Sequence, residues 1–543
     1  MKIKLFLIFL LFIFSKKINS QPIGQWTWMN GSNQLDFAGN FAVRGSPSPL
    51  SKPPSIYEGV EWTDNDGNFW IYGGESSTAF LNDMWKYDVN TNMWTWVSGS
   101  GGISDQRPFY GIKGVASSLN TPGERLESMS WKDSHGNFWL FGGVGYYDIG
   151  GGSDYNDLWM YNITTNLWTW MKGDSLDRYR NVGDAVYGSQ GIENASSKPG
   201  FMEEIDITWV DDDDNLWMVD WKGCLWRYRV QTNNWTWMKG DTTGKTIYGP
   251  KGIPSPSTTP GLSFFAYTRW KDSKGFFWYY FYEDFVPVNK VLFKYDISTN
   301  LWTRVWGDTN GIYNSRYGEF LCDTIANGDN EKVIPYGRFE TRACWIDNED
   351  NLWMMGGGGS NAEGGGKYFN DLVYYSTQKN VWLWAGNDTI ADMDAVYGSM
   401  GIADIDNKPS ARNGALPFKD KNGNLWLYGG EKTNLALYLT NYYGDLWKYT
   451  MNNGIPPCDG NYEVEDYADN TKIIISPNPG YGMFVVESGA FIDQIKVIDI
   501  LGNVVFDKEI SSKQFSFELD KPGVYLCVFI SGSKSLIKKI VVI

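Results

Sequence analysis

A tripeptide that ends in tryptophan recurs along the chain and constrains the fold more than any other feature. The six copies end at Trp70, Trp139, Trp217, Trp278, Trp353 and Trp426. Successive copies are separated by 61 to 78 residues. A long period that varies through insertions is typical of stacked supersecondary units, each of which buries its apolar face against its neighbours. The sequence therefore predicts one large repeat domain of six units.

Residues 129–170 show how each unit is built. Four short apolar segments, rich in aromatic residues, are separated by turns that contain Gly, Asn and Asp, which indicates antiparallel strands. The segments are residues 129–131, 138–141, 158–161 and 167–170. In five units a tyrosine of the third strand precedes a tryptophan of the fourth by seven residues, as Tyr161 precedes Trp168.

The sixth unit lacks its fourth strand. After Trp447 the chain reaches Pro456 and Pro457, and two prolines cannot serve a paired strand. The segment Trp26-Thr27-Trp28, near the start of the chain, resembles a fourth strand with no first three strands before it. We therefore predict that this N-terminal strand completes the sixth unit and leaves the domain without an open edge.

The repeat pattern resembles a known family. A strand that ends in Gly-Gly, followed by a tyrosine and by a tryptophan seven residues later, resembles the kelch repeat. Residues 21–458 resemble the kelch-type propeller of the galactose oxidase central-domain family. The resemblance implies an all-β fold, a six-bladed kelch-like β-propeller closed by the N-terminal strand. Two units depart from the pattern, because residues 220–223 and 280–282 stand where Gly-Gly is expected.

The two ends of the chain predict its destination. Lys2 and Lys4 precede an apolar run over residues 5–14, which predicts a signal peptide over residues 1–20. This run is too short to span a bilayer, and no later segment is long and apolar enough, so no transmembrane segment is predicted.

Beyond a linker over residues 459–470, the segment 471–543 predicts a small C-terminal β-sandwich. Its ordered motifs, from Ile475-Ser476-Pro477-Asn478-Pro479 to the final Lys538-Lys539-Ile540, resemble the C-terminal sorting domain of the type IX secretion system of Bacteroidetes. The resemblance implies export through the periplasm to the outer cell surface or medium, with the secretion machinery as a partner.

Composition excludes two function classes. The net charge of −16 and the lack of a basic cluster oppose nucleic-acid binding. The copper site of galactose oxidase uses two histidines, whereas this chain has only His135. We expect no catalytic residue, cofactor or metal ion. The recurring turns, such as residues 64–70, resemble the Asp-box of sialidases, and we predict that they stabilise hairpins. The acidic run 211–214 could bind calcium, but it lacks the alternating ligands and the distal glutamate of an EF-hand loop, so we interpret it as a solvated turn.

The loops indicate where a ligand binds. The turns after the first and third strands are uniform, whereas the loops after the second strands and the connections between units vary, and these share the opposite face. The candidate ligand-binding residues on this face are Arg125, Arg338, Arg412, Tyr146, Tyr147, Tyr442 and Tyr443. A structural salt bridge or a carbonyl clamp is the alternative role of the arginines.

Two functions are compatible with the sequence. The first is a secreted or cell-surface binding protein that recognises a glycan or a protein. The alternative is a secreted glycan-active hydrolase or lyase of propeller fold. An acidic pair beside the arginines favours the enzyme, and a flat aromatic loop face favours the binding protein.

Overall fold

The computed structural model describes most of the chain as β-structure. The described residues are 24–103, 106–147, 151–175, 185–202, 204–261, 265–283, 289–308, 333, 335, 337–359, 366–434, 439–451, 473–476, 482–499, 504–531 and 534–542. The predicted signal peptide and linker lie outside them. The contacts divide the chain into two units, Met1–Pro457 and Cys458–Ile543. Within the described residues no helix is long and apolar enough to cross a membrane.

Six four-stranded antiparallel sheets make up the first unit. The strands of the first three sheets are Val60–Thr63, Phe69–Tyr72, Met84–Asp88 and Met93–Ser98; Met129–Lys132, Phe138–Phe141, Leu158–Asn162 and Leu167–Lys172; and Ile207–Val210, Leu216–Val219, Leu225–Arg229 and Asn234–Lys239. Those of the next two are Arg269–Lys271, Phe277–Glu283, Asn289–Asp296 and Leu301–Asp308; and Cys344–Ile346, Leu352–Met355, Leu372–Ser376 and Val381–Gly386. Those of the sixth are Leu416–Lys419, Leu425–Tyr428, Gly444–Met451 and Gly24–Ser32.

The first strands of the sheets lie side by side. Each contacts the first strands of two other sheets, and these contacts run from the first sheet to the sixth and back to the first. Large aromatic side chains fill the space between neighbouring sheets, and Trp139, Trp217 and Trp353 are fully buried there. This all-β arrangement is consistent with a propeller-like fold.

The N-terminal strand belongs to the sixth sheet. Gly24–Ser32 pairs antiparallel with Gly444–Met451, and Trp28 lies opposite Trp447. An edge of the sixth sheet is therefore formed by a strand from near the start of the given sequence.

An aspartate fixes the turn between the first and second strands of every sheet. In the second sheet Asp133 Oδ1 accepts a hydrogen bond from the Asn137 backbone N–H at 2.8 Å, and Oδ2 accepts one from Trp139 Nε1 at 2.9 Å. The equivalent residues are Asp64, Asp211, Asp272, Asp347 and Asp420. The recurring turn motif thus ties a hairpin to a core tryptophan, which explains its presence in each unit.

The two units that depart from Gly-Gly keep four strands. In the third sheet Asp220 makes a second aspartate turn, because it accepts hydrogen bonds from the Cys224 backbone at 2.8 Å and from Trp226 Nε1 at 2.9 Å. In the fourth sheet the second strand, Phe277–Glu283, extends past the usual position and pairs with Asn289–Asp296 over its full length. Both sheets replace the glycine bend with a hairpin of different length.

Three two-stranded ribbons lie outside these sheets. They pair Val144–Tyr147 with Gly151–Asp154, Arg338–Phe339 with Gly358–Gly359, and Glu431–Asn434 with Leu439–Tyr442. All three come from the loops and connections whose variation the sequence indicates. They lie at the end of the sheets opposite the aspartate turns.

The second unit is a five-stranded antiparallel sheet. Its strands are Ile473–Ser476, Met483–Asp499, Val504–Glu518, Gly523–Ser531 and Lys534–Val542. The long strand Met483–Asp499 pairs with three of the others. Phe484, Val497, Cys527 and Phe529 lie in its buried core. The two-layer sandwich stays a prediction.

Candidate functional site

One residue shortly before the first strand of each sheet has a left-handed backbone. These residues are Glu58, Glu127, Glu204, Phe265, Glu340 and Gly414, with φ between 47° and 59°. Non-glycine residues adopt this region rarely and at a cost, so other contacts must hold them there. The six equivalent positions form a distinct feature of the face that carries the ribbons.

Backbone hydrogen bonds between sheets stabilise this conformation. The Glu58 N–H donates to the Gly414 carbonyl at 3.3 Å, and the Glu127 N–H donates to the Glu58 carbonyl at 3.2 Å. The Glu340 N–H donates to the Phe265 carbonyl at 3.0 Å, and the Gly414 N–H donates to the Glu340 carbonyl at 3.1 Å. These bonds place side chains from different sheets close together.

Three of the left-handed glutamates form a cluster, which we call the axial cluster: Glu58, Glu127 and Glu204. One carboxylate oxygen of each lies within 4.8 Å of those of the other two. Glu58 and Glu127 are buried and Glu204 is half-buried. Neither carboxylate oxygen of Glu58 has a hydrogen-bond partner. The axial cluster therefore brings three carboxyl groups from different sheets together, and Glu204 is the most exposed of them.

The environment of Glu58 disfavours its ionised form. Burial is the largest cause that raises its pKa well above the usual value, and the charge of Glu204 adds to it. The charge of Arg342 and the Tyr267 hydroxyl oppose this shift without outweighing it. Burial also raises the pKa of the Tyr267 hydroxyl, with Glu58 as the next cause.

Glu340 lies beside the axial cluster but has partners of its own. Its Oε2 accepts a hydrogen bond from the Tyr57 hydroxyl at 2.8 Å, and another from Asn413 Nδ2. Burial raises the pKa of Glu340 well above its usual value, and the charge of Glu58 raises it further. The two glutamates are thus electrostatically coupled.

Half-buried polar residues form the edge of the site. Burial raises the pKa of Glu431 to about 7. Burial also raises the pKa of Glu75, opposed by a hydrogen bond with the Tyr442 side chain. The Asn413 and Glu431 backbones exchange hydrogen bonds of 3.1 and 3.0 Å, which joins this edge to Glu340. Glu75, Glu431 and Tyr442 therefore connect the buried acids to the surface.

Two arginines near the first strands form ion pairs with two carboxylates. Arg342 lies 2.8 Å from a Glu61 carboxylate oxygen and 3.0 Å from an Asp206 oxygen. Arg269 also contacts Asp206, at 2.8 Å. Two arginines thus balance two carboxylates between the first strands. Beyond them lies a cavity of about 360 Å³, lined in part by Arg269 and Trp209.

The three predicted arginines form buried ion pairs. Arg125 bonds Asp157 at 2.9 Å, Arg338 bonds Asp371 at 2.7 Å, and Arg412 bonds Asp445 at 2.5 Å. Each guanidinium also donates to the carbonyl of a glycine, at 2.8 to 2.9 Å. This geometry fits the salt bridge and the carbonyl clamp that the sequence left as the alternative. Contact of these arginines with a ligand stays a prediction.

The four predicted tyrosines have different surroundings. Tyr443 is buried, and the Arg412 guanidinium lies 4.0 Å from the centre of its ring. Tyr442 is half-buried at the edge of the acidic site. The side chains of Tyr146 and Tyr147 lie outside the described residues, although their backbone is part of a ribbon. Among the seven predicted residues, Tyr442 has a partly exposed side chain and lies beside the acidic site.

The sequence analysis missed the glutamates. A signal was present, because a glutamate follows the predicted arginine by two residues in Arg125-Leu126-Glu127 and Arg338-Phe339-Glu340. Aligning the units on these segments brings Glu58 and Glu204 to the same place. The His135 side chain is exposed and lies 3.3 Å from an Asp214 carboxylate oxygen.

Comparisons with known proteins identify the C-terminal unit. Residues 474–543 match the family described as "Secretion system C-terminal sorting domain". Among the solved structures that match is one titled "Structure of YjhT", with 15% identity and a TM-score of 0.42, over 76% of this chain and 99% of that one. No curated protein matches the sequence. The chain thus carries a C-terminal sorting domain of the type IX secretion system, and the protein is exported to the cell surface or secreted.

Proposed function

We propose that the exported protein binds a glycan or a protein ligand through the face that carries the axial cluster. The proposal includes the fold that positions this face: the six sheets are the blades of a kelch-like propeller, and the N-terminal strand closes it. The antiparallel pairing of Gly24–Ser32 with Gly444–Met451 supports this closure.

The observation that carries the proposal is the concentration of acids on the face with variable loops. Glu75, Glu431 and Tyr442 line its edge, and Glu431 and Tyr442 lie opposite each other in one of the ribbons. Rigid folds commonly present binding residues on variable loops, while the uniform side maintains the scaffold. Carboxylates accept hydrogen bonds from sugar hydroxyls and attract the cationic side chains of a protein. Both ligand classes thus fit the chemistry of this face.

A glycan-active hydrolase or lyase is the second candidate. Glu431, with a pKa near 7, has the property of a general acid, and glycoside hydrolysis requires such a group beside a second carboxylate. We place binding first because two groups that a hydrolase could use are not available to a substrate. Glu58 is fully buried, and the guanidinium of Arg338, two residues from Glu340, is already bonded to Asp371.

The test uses mature protein recovered from the native host, on a glycan array and in pull-down from the host's surroundings. Glu431→Gln and Tyr442→Phe each remove one hydrogen-bonding or charged group at the edge of the site, and either is expected to weaken binding about tenfold. Asp66→Asn, an exposed substitution in an aspartate turn at the other end, is the matched control and should leave affinity unchanged.

Two results would contradict the binding proposal. A ligand whose affinity responds to Asp66→Asn but not to Glu431→Gln or Tyr442→Phe would place binding on the opposite face, which carries the aspartate turns. Release of products from a glycan by the wild-type protein, lost in Glu431→Gln, would establish the enzyme instead.

A further inference from the structure

We infer that the axial cluster of Glu58, Glu127 and Glu204 is a binding site for a calcium ion. This goes beyond the proposed function, because the ion would bind whether or not the face also binds a glycan or a protein. Three observations carry the inference: the spacing of the carboxylates, the lack of partners for Glu58, and the distribution of positive charge around the site.

The spacing suits calcium. Ligand oxygens bind this ion at about 2.3–2.6 Å, so two oxygens on opposite sides of one ion are up to about 5 Å apart. The three carboxylates meet this limit, because their ligand atoms all lie within 4.8 Å of one another. Magnesium binds at about 2.0–2.1 Å and retains most of its water, so a cluster of three carboxylates suits it less well. Zinc prefers nitrogen and sulfur ligands, whereas this cluster offers oxygen.

The second observation is that the buried Glu58 carboxylate lacks a hydrogen-bond donor or a cation. Its side chain is fully buried, and neither carboxylate oxygen has a hydrogen-bond partner within 3.5 Å. The Tyr267 hydroxyl is close enough to lower the pKa of Glu58, but it donates to Glu204 at 3.5 Å. A buried carboxylate without a partner is costly, and buried charges are normally paired or bound to metal. Glu340, at the equivalent place in another sheet, shows the contrast, because Tyr57 and Asn413 donate to it. Glu58 therefore requires either a proton or a cation.

The nearby positive charge is only partly engaged. Arg342 is the basic residue with the largest electrostatic effect on Glu58. Its guanidinium contacts Glu61 and Asp206, at 2.8 and 3.0 Å. The Nη1 atom of Arg342 has no hydrogen-bond partner, so Arg342 lowers the pKa of Glu58 without a hydrogen bond to it. A divalent cation held by three carboxylates would supply the compensation that the arginine does not.

The experiment titrates calcium into the mature full chain after treatment with a chelator. Calorimetry should show saturable binding with a dissociation constant of at most about 10⁻³ M, as in other extracellular modules. Magnesium should bind more weakly. Terbium, a calcium analogue that neighbouring tyrosine and tryptophan rings excite, should give sensitised luminescence that calcium displaces.

Two neutral variants and one control locate the site. Glu58→Gln and Glu204→Gln should each weaken calcium binding about tenfold or more, since affinity depends on the number of charged ligands. Asp66→Asn removes one negative charge from the other end of the sheets and should bind calcium as the wild type does. In the chelator, Glu58→Gln should melt close to the wild type, because the amide has nearly the same shape as the carboxyl group.

Absence of calcium binding to the wild-type protein would overturn the inference, and so would equal affinity in the wild type and both glutamine variants. If Glu58→Gln fails to fold, Glu204→Gln at the half-buried edge decides the question. A glutamine variant that loses calcium binding but keeps glycan or protein binding would support the calcium site and would show that the ligand does not depend on it. Loss of macromolecular binding with calcium binding intact would leave the inference standing.

Discussion

Trp26 lies opposite Tyr449 in the pairing between the N-terminal strand and the sixth sheet, with their ring centroids 5.1 Å apart. Trp26 is 2% exposed and also contacts Trp447 edge to face. The N-terminal strand thus contributes a large buried side chain to the sixth sheet.

This contact leads to the first prediction. Trp26→Ala should lower the free energy of unfolding by about 3–5 kcal/mol, the usual cost of removing a buried tryptophan. Removal of residues 21–31 should cost at least as much, since it also exposes a paired edge. The measurement is chemical denaturation of the purified protein. Leu35→Ala, at a residue that is 47% exposed, is the control. A melting temperature that the deletion leaves unchanged would rule out closure by this strand.

The second prediction concerns the ion pair between Arg412 and Asp445. Arg412→Met should cost about 3–5 kcal/mol of stability, because it leaves a buried carboxylate without its cation. Burial alone would raise the pKa of Asp445, but Arg412 outweighs it and the pKa is lowered. The pair therefore stabilises the fold above the usual aspartate pKa, and this contribution disappears as the pH falls through the lowered value.

Denaturation of Arg412→Met, Asp445→Asn and the double variant would measure the coupling between the two residues. We expect the double variant to be less destabilised than the sum of the single variants. A normal melting temperature in Arg412→Met combined with weaker ligand binding would instead support the ligand-binding role predicted from the sequence.

The third prediction is a dependence of stability on pH. The pKa of Glu431 in the folded protein is about 7, above the usual glutamate value, because the residue is buried. The folded state therefore holds a proton that the unfolded state has lost, and stability falls as pH rises from about 4.5 to about 7. Glu75 raises this pKa further, whereas hydrogen bonds from Thr433, Asn413 and Tyr368 lower it.

Melting temperatures between about pH 5 and pH 8, measured in the presence of a chelator, test this linkage. The wild type should melt higher at the acidic end, and Glu431→Gln should show a smaller slope. Some slope should persist in the variant, because burial also raises the pKa of Asp220 to about 6. An identical slope in wild type and Glu431→Gln would show that Glu431 does not titrate in this range.

The fourth prediction concerns export. Deletion of residues 471–543 in the native host should retain the protein in the periplasm, because the sorting domain lies within them. Fractionation followed by immunoblotting measures this distribution. The matched control is the full chain with Asp66→Asn, which should reach the surface or medium normally. Normal appearance of the truncated protein outside the cell would contradict the prediction.

Most of the fold prediction came from motifs of a few consecutive residues. The spacing from Asp133 to Trp139 is fixed, because the aspartate bonds both the turn backbone and the indole. Such contacts are short in sequence, so they repeat visibly and mark each sheet. The isolated segment around Trp26 was informative for the same reason, since its pattern had no other strands beside it.

The acidic site was harder to predict, because it depends on contacts between residues far apart in the chain. Glu58 and Glu204 are separated by 146 positions and meet only when several sheets assemble. The arginines were visible as a pattern, but their partners were not, because Asp157 lies 32 residues after Arg125 in the chain. The sequence therefore led to a prediction for the arginines, which form buried ion pairs, and not for the glutamates of the acidic cluster.

The left-handed residues have one more consequence. Glu58, Glu127 and Glu340 donate to a neighbouring sheet through the peptide group, so these bonds do not depend on which side chain they carry. Phe265 and Gly414 hold two of the six places with nearly the same φ as the glutamates. The places are not equivalent, because a Cβ on Gly414 would overlap the Tyr57 ring, and the Glu204 N–H donates to the Glu127 carboxylate at 3.1 Å. A substitution at Glu58 or Glu340 would therefore change the charge of this face and retain the backbone bonds between sheets, whereas one at Glu127 would also remove a contact that holds Glu204.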